Sequence, residues 1–284
     1  MNFKEKIVRK LGLAQTAGNY NEAELPYNHV SLYYWKPING GLNFGDHLSK
    51  IIVAKVLADN GHSLEEETAY NKRMLAIGSV IHFAETNNVI WGAGINGKVD
   101  IAEHKFLDLD VRAVRGPLTK AFLEERGIVV PEVYGDPALL LPKLFPGRFQ
   151  LNTQKAYVTV PNLHDLIIAK SQNWQNIVSP MSSWNRCIDE ILEADFVIAS
   201  SLHGLIIAEA YGIPARYIRL SETENLFKYN DYMRGTGRGT IEYASTIAEA
   251  LEMGGMPPPA FNSDSLLNAF PLDLWRKKQQ DGKW

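Results

Sequence analysis

Short apolar runs alternate with segments of helical periodicity along most of the chain. In residues 45–61, for example, apolar side chains recur three or four positions apart, and an Asn-Gly pair ends the pattern. The pattern predicts strands at residues 29–35, 73–81, 88–95, 109–116, 155–162, 176–181, 195–200 and 215–220, and helices at 45–61, 117–127, 183–193 and 203–212. Because strands alternate with helices, we expect an α/β fold of parallel sheets with helices on both faces.

The pattern is interrupted once, near the middle of the chain. A proline and a glycine at 146–147 begin a polar stretch that runs to residue 154, and the strand–helix order restarts after it. We therefore predict two Rossmann-like domains facing a cleft, an N-terminal domain at 1–148 and a C-terminal domain at 149–284. The tail from Phe270 onward could pack back on the N-terminal domain.

The composition is that of a soluble globular protein. Of the 284 residues, 45% are hydrophobic and 21% are charged, and the formal net charge is −3. This charge argues against a nucleic-acid binder, because phosphate contacts need a basic surface. The seven histidines are scattered and Cys187 is the only cysteine, so we predict no metal cluster and no internal disulfide. We expect Cys187 to be a core residue.

The N-terminus and the hydropathy of the chain bear on its location. No run of about 18 apolar residues occurs, and the first residues lack the apolar core of a signal peptide, so we expect a cytoplasmic protein. The segment that carries Lys4, Lys6, Arg9 and Lys10 is basic and amphipathic. It could rest on the anionic inner face of the cytoplasmic membrane or be a solvated terminus, and both interpretations stay open.

In open α/β sheets, ligands bind outside the carboxyl ends of the strands, so polar turns there are candidate sites. The first such turn runs from Asn43 through Gly45 to Asp46, at the start of a predicted helix. A glycine turn at a helix N-terminus suits an anion or a sugar hydroxyl, and Asp46 could orient a hydroxyl or act as a base. A plain helix start, with Asp46 favourable to the helix dipole, is the alternative. His47 is a weaker candidate.

Further candidates follow later strands of the first half. Arg115 ends a predicted strand, where a guanidinium can hold a carboxylate or phosphate through two hydrogen bonds; an ordinary surface arginine is the alternative. The glycine turns in AIGSVIH and WGAGING lack the full dinucleotide fingerprint, and they leave Ser79 and His82 as secondary candidates. Asp136, between a glycine and a proline, is predicted to fix a turn.

A histidine stands in the first turn of an otherwise apolar helix. In SSLHGLIIAEAYGIP, residues 200–214, Ser200 or Ser201 can cap the helix, and His203 then points toward the cleft. A helix N-terminus disfavours imidazolium, whereas a bound phosphate or carboxylate favours it. His203 is therefore a candidate general acid that becomes competent when an anionic substrate is bound. A capping histidine without a catalytic role is the alternative.

The last polar segment, residues 227–238, follows the final predicted strand. It is dense in cationic and aromatic groups, namely Lys228, Tyr229, Asp231, Tyr232 and Arg234. We predict a loop that forms a lid or wall of the cleft, with an ordinary polar loop as the alternative.

Together these segments resemble the polysaccharide pyruvyl transferases. The resemblance rests on NFGD (43–46), the RG turn (115–116), GDPALLL (135–141), SSLHGLIIAEAYGIP (200–214) and KYNDY (228–232), in order over roughly residues 40–235. It implies two Rossmann-like domains similar to GT-B glycosyltransferases, and phosphoenolpyruvate as donor without a cofactor. It also implies a pyruvate ketal on two hydroxyls of a sugar in a capsule, an exopolysaccharide or a precursor such as a lipid-linked oligosaccharide. It does not indicate the oligomeric state.

By motif position, the resemblance implies that His203 is the catalytic histidine, Arg115 the donor-binding arginine, and Asp46 a residue near the reacting groups. The chain departs from the pattern at Ser201, where some members have an arginine that grips the donor. We therefore expect amides of the helix or a second cation, with Lys228, Arg234 and Arg238 as candidates. The substrate-binding residues predicted besides Arg115 are Asn43, Gly45, Ser201, Leu202, Gly204, Lys228 and Tyr232.

Two other functions stay open from the sequence. A GT-B glycosyltransferase would use the same cleft, with Glu209 or Glu222 binding the ribose of a nucleotide-sugar. A non-catalytic glycan-binding protein would stack sugars on aromatic side chains. The candidates for stacking are Tyr33, Tyr34, Trp35 and Trp91.

Overall fold

The computed structural model describes residues 25–38, 40–222 and 224–276. It shows an α/β fold with two parallel four-stranded sheets, each with its strands in chain order. The first sheet contains β1 (Val30–Tyr33), β2 (Lys72–Leu75), β3 (Asn88–Trp91) and β4 (Leu109–Ala113). The second contains β5 (Val158–Val160), β6 (Val197–Ala199), β7 (Ala215–Ile218) and β8 (Tyr243–Ala244). The basic segment predicted around Lys4–Lys10 lies outside the described residues.

Nine α-helices connect or flank these strands in the described part of the chain. They are α1 (Phe44–Asp59), α2 (Pro117–Glu124), α3 (Leu141–Leu144), α4 (Leu166–Ser171), α5 (Trp184–Leu192), α6 (Leu202–Ala210), α7 (Phe227–Gly235), α8 (Ile247–Met253) and α9 (Ser263–Asn268). Short 3₁₀ helices lie at Ile81–Phe83, Ile101–Glu103, Pro137–Leu140 and Leu272–Leu274. Among the described residues, no helix combines the length and apolar character needed to cross a membrane.

One apolar core extends through both halves of the chain. The helix α1 carries Leu48 and Ile52 into it from the first half, and α6 carries Leu205 and Ile206 into it from the second. Helix α1 also packs against α5, which belongs to the second half and contributes the buried Cys187. The two halves therefore pack against each other through this core.

Two predicted elements differ from the structure. The strand expected at 176–181 is reduced to a single parallel bridge between Ile177 and Thr159 of β5. The loop expected at 227–238 is wrong, because α7 forms there and buries Tyr229, Tyr232 and Met233 at helical spacing. Dense polar and aromatic composition concealed this periodicity.

The bridge at Ile177 affects where a ligand can bind. It pairs with the edge of β5 that faces away from β6, so chain neighbours lie on both sides of β5. The chain therefore leaves β5 toward one side of the sheet and β6 toward the other, and a crevice opens outside the carboxyl ends of these two strands. His203 follows β6 at this crevice.

The C-terminal segment from α9 through the described part of the tail contacts the first half of the chain. The indole of Trp91 donates to the carbonyl of Leu266 at 2.8 Å, and that of Trp275 donates to the carbonyl of Ser63 at 3.0 Å. A groove of about 870 Å³ beside this segment contains Arg112, whose guanidinium is held by two carboxylates. None of the predicted site residues lies in that groove.

Candidate active site

A cleft of about 590 Å³ lies at the carboxyl ends of both sheets. Each wall is formed by residues that follow parallel strands, as expected for this class of fold. The first half contributes Asn43, Asp46, Gly78, Ser79, His82 and Lys98, and the second half contributes Asn162, His164, Ser201, Leu202, His203, Glu224 and Lys228. The structure therefore brings together most of the polar candidates from both halves.

Asp46 lies in the first turn of α1. The amide of Asn43 donates to its Oδ2 at 2.5 Å, and its Oδ1 lies so close to Gly78 that a Cβ there would approach to 2.7 Å. Desolvation raises the pKa of the Asp46 carboxyl, although the nearby His203 and the hydrogen bond from Asn43 oppose this rise. Such a carboxylate is a stronger base than one in water.

His203 reaches the cleft because α6 packs tightly on β5. A Cβ on Gly204 would come within 2.8 Å of Val160, so only glycine permits this approach. The Ser201 hydroxyl caps α6 by accepting from the amide of Gly204 at 3.3 Å. The ring of His203 then lies against Gly45, where a Cβ would be 2.2 Å from Nδ1. The glycine in the NFGD turn thus makes room for the histidine of the other half.

Asp136 faces the same histidine from the other side. Its Oδ1 accepts from the amide of Ala138 at 2.9 Å, which fixes the turn as predicted. Its Oδ2 lies 3.6 Å from His203 Nε2, and both atoms are buried without another partner. Sequence patterns do not reveal this second contact, since it depends on how the two halves pack.

Arg115 lies behind the cleft wall rather than in it. Its side chain is buried, with Nε donating to Asp231 Oδ2 at 3.0 Å and Nη2 to the carbonyl of Ile95 at 2.6 Å. Its Nη1 donates to Ser79 Oγ at 2.7 Å, and Ser79 lines the cleft. Because Ser79 accepts from Arg115, its own hydroxyl hydrogen is left to donate to a ligand. Direct donor binding by Arg115 stays a prediction.

Lys228 is the one member of the three candidate cations that lines the cleft in the described structure. Its Nζ lies 2.7 Å from Oε1 of Glu224, which also pairs with Lys98 of the first half. Desolvation lowers the pKa of Lys228, while Glu224 favours its charged form. Arg234 is exposed, and Arg238 is held by Glu209 at 2.6 Å. The cation next to the candidate acid and base is therefore Lys228.

Other predicted residues have different surroundings. Tyr232 is buried outside the cleft and donates its hydroxyl to Glu209 at 2.5 Å. His47 also lies outside the cleft, edge-on to Tyr34. His82 lines the cleft, and burial lowers the pKa of its ring to about 4. Of the aromatic candidates for sugar stacking, Trp35 lines the cleft, whereas Trp91 belongs to the core.

Several residues that line the cleft were not among the predicted ones. Asn162 and His164 follow β5, and Lys98 lies in the loop after β3, so their positions after strands could have identified them. Glu224 precedes α7 and pairs with Lys228 four residues later, and no sequence pattern marked it. Among residues 25–38, 40–222 and 224–276, no three His, Cys, Asp or Glu side chains are grouped to hold a metal ion.

Curated proteins and a solved structure are similar to this chain. Succinoglycan biosynthesis protein ExoV of Rhizobium meliloti is 28% identical over 244 residues, covering 78% of this chain and 71% of that protein. An uncharacterised protein of Acanthamoeba polyphaga mimivirus is 23% identical over 228 residues, covering 74% and 75%. The crystal structure of an uncharacterised Klebsiella pneumoniae protein aligns with a TM-score of 0.46 and 15% identity, over 87% of this chain and all of that one.

The sequence profile of one family matches most of the chain. The matched segment, residues 6–222, contains the turn at Asp46, the turn after β4 and the histidine that begins α6. Since this match covers more than half of the sequence, the chain belongs to the polysaccharide pyruvyl transferase family.

Proposed function

We propose that this protein transfers the pyruvyl group of phosphoenolpyruvate to two hydroxyls of a sugar and forms a pyruvate ketal. The observation that carries the proposal is the meeting of Asp46, His203 and Lys228 at one cleft. These residues offer a base, an acid and a cation, and the chain belongs to a pyruvyl transferase family. The GT-B-like placement of two Rossmann-like domains around this cleft, with a boundary near residue 148, is part of the same proposal.

The acceptor we propose is a repeat unit of an exopolysaccharide or its lipid-linked precursor. The support is the relative that is named a succinoglycan biosynthesis protein. Trp35 at the cleft offers an aromatic face of the kind that stacks on sugar rings.

Donor binding in this proposal uses charge and backbone amides. Phosphoenolpyruvate carries a carboxylate and a phosphate, and Lys228 supplies the cation that Ser201 does not. The hydroxyl of Ser79, held by Arg115, adds a hydrogen-bond donor. The backbone N–H groups of Leu202 and His203, in the first turn of α6, lack partners within the helix and are the donors we assign to an anionic group.

The reaction follows in three steps. Protonated His203 gives a proton to the methylene carbon of the donor, which becomes a methyl group and leaves positive charge at the neighbouring carbon. A sugar hydroxyl attacks that carbon and loses its proton to Asp46. The second hydroxyl then attacks the same carbon, the bond to phosphate breaks, and phosphate leaves with the remaining proton. Lys228 stabilises the departing phosphate.

The nucleotide-sugar alternative receives no support at this cleft. Glu209 is bound by Arg238 and by the hydroxyl of Tyr232. Glu222 is not among the residues that line the cleft. We therefore propose no second function.

A thermal melt tests donor binding before the acceptor is known. A ligand that binds the folded state stabilises it by about 2.7 kcal/mol at a hundredfold excess over its dissociation constant. We expect phosphoenolpyruvate to raise the melting temperature more than phosphate, UDP or GDP does. A shift with a nucleotide and none with phosphoenolpyruvate would overturn the proposal.

Turnover tests the chemistry. The assay measures phosphate released from phosphoenolpyruvate with oligosaccharides whose hydroxyl pairs can close a five- or six-membered ketal ring. His203→Ala should reduce the rate by about 10² to 10⁴, the usual contribution of a general acid. Full activity in this variant would contradict the assignment of His203.

A further inference from the structure

The two halves of the chain present unpartnered polar atoms to each other at His203. Nε2 of this residue and Oδ2 of Asp136 are both buried, lie 3.6 Å apart and have no other hydrogen-bond partner. A buried carboxylate oxygen without a donor is costly, and a proton on Nε2 is the donor that His203 can offer to Asp136 Oδ2. Hydrogen bonds of catalytic groups are often long before substrate binds.

Of the two ring nitrogens of His203, only Nε2 can hold the proton that faces Asp136. Nε2 is fully buried beside Asp136, and a different edge of the ring carries Nδ1. That edge lies over Gly45, next to the carboxyl of Asp46. One nitrogen therefore faces the protein interior and the other faces the side of the cleft where the candidate base lies.

We propose that Asp136 is a positioning residue that holds the Nε2–H of His203, so that Nδ1 is the atom that gives the proton to the donor. The carboxylate accepts from Nε2 and stabilises the positive charge of the protonated ring. The same contact prevents the ring from rotating away from the cleft. The proton-transfer role rests on the proposed function, whereas the choice of tautomer does not.

The two oxygens of Asp136 divide the structural and positioning roles. Oδ1 caps the 3₁₀ helix Pro137–Leu140 through the amide of Ala138, and Oδ2 faces the histidine. Asp136→Asn keeps the first oxygen and replaces the second by an amide group, which donates rather than accepts. The variant therefore preserves the turn but demands the opposite tautomer of His203.

Nuclear magnetic resonance of ¹⁵N-histidine-labelled protein tests the tautomer without substrate. The His203 signals are assigned by their loss in His203→Gln. In the natural sequence, we expect the neutral ring to carry its proton on Nε2, and in Asp136→Asn on Nδ1. Asp100→Asn is the matched control, because Asp100 caps another 3₁₀ helix through the amide of Ala102 at the same 2.9 Å. It should leave the His203 signals unchanged.

Kinetics test the consequence for turnover. Asp136→Asn should lower kcat on the order of a hundredfold, with the KM for the donor nearly unchanged, because the substitution affects proton transfer. A Nδ1–H tautomer in the natural sequence would overturn the proposal, and this result needs no folded variant. An unchanged tautomer in Asp136→Asn would also overturn it. If the tautomers are as expected but phosphoenolpyruvate is not a donor, the contact between Asp136 and His203 is supported and the proposed function is wrong.

Discussion

Lys228 and Asp231 lie one turn apart on α7, and each belongs to an ion pair. One pair lies at the cleft and the other is fully buried. Asp231 pairs with Arg115 deep between the halves, where both side chains are at most 1% exposed. Lys228 pairs with Glu224 at the cleft, where both keep part of their surface accessible. The same helix thus joins the halves through one pair and places a cation at the cleft through the other.

The difference lies in how completely each pair is satisfied. Asp231 also accepts from the amide of Thr119 at 2.9 Å and from its hydroxyl at 2.7 Å, while Arg115 is bound by Ser79 and Ile95. Lys228 has three donors, so its contact with one oxygen of Glu224 leaves donors for an anion. The Arg115–Asp231 pair, whose hydrogen bonds are all made within the protein, stabilises the structure, whereas the Lys228–Glu224 pair keeps donors that can bind an anion.

Removing Arg115 should have the largest effect. Arg115→Ala leaves the buried carboxylate of Asp231 without its counter-ion, which costs about 3–5 kcal/mol of unfolding free energy. This corresponds to a fall in melting temperature of roughly 10 °C, measured by calorimetry. A fall of less than about 2 °C would mean that the pair is not structural.

A double variant separates the structural role from donor binding. Arg115→Met combined with Asp231→Asn removes both charges and keeps an oxygen for the amide of Thr119. We expect much of the lost stability to return. If the thermal shift with phosphoenolpyruvate returns as well, Arg115 acts on the donor only through structure. If stability returns without the shift, Arg115 also binds the donor.

Removing Lys228 should affect the ligand rather than the fold. Lys228→Ala should raise the dissociation constant for phosphoenolpyruvate by about 10- to 100-fold, or about 1.4–2.7 kcal/mol, measured by calorimetric titration. Its effect on stability should be small, because a partly exposed ion pair contributes little. Arg234→Ala, on the same helix but exposed, is the matched control. Equal losses of affinity in both variants would remove the distinction between them.

Two glycine substitutions compare the cleft with the buried Arg115–Asp231 pair, because each adds only a methyl group beside one of them. A Cβ at position 45 would be 2.2 Å from His203 Nδ1, and one at position 94 would be 2.4 Å from Arg115 Cζ. Gly45→Ala should lower turnover by about tenfold by displacing the ring, with a smaller change in stability. Gly94→Ala should lower the melting temperature more than it lowers turnover, because it disturbs the buried pair of Arg115 and Asp231. A larger loss of stability in Gly45→Ala, with a larger loss of turnover in Gly94→Ala, would contradict these assignments.

Sequence patterns located the parts of the site that depend on local structure. The start of α1 and the start of α6 were predicted within one residue, because helix periodicity and strand–helix alternation mark them. The same patterns therefore suffice to place Asp46 and His203 in the first turns of helices. These are properties of a few neighbouring residues.

The surroundings of the same residues could not be read from the sequence. Arg115 was placed correctly at a strand end, but its partner Asp231 lies 116 positions away, so nothing local showed that it is saturated. Asp136 was predicted to fix a turn and does so, yet its contact with His203 requires the packing of both halves. The helix α7 was mistaken for a loop because its polar composition concealed four buried positions.

His82 offers the smallest and most specific test, because it lines the cleft as Lys228 does but should be uncharged. Burial, aided by the nearby His104, lowers the pKa of His82 to about 4, below its ordinary 6.5. The unfolded chain therefore binds the proton first, and stability falls as pH decreases from about 6.5 to 4. His82→Asn should reduce this loss between pH 7 and 5, by about 2 °C or less in melting temperature. A titration midpoint near 6.5 by proton NMR would contradict this, and would make His82 a second titratable cation beside Lys228.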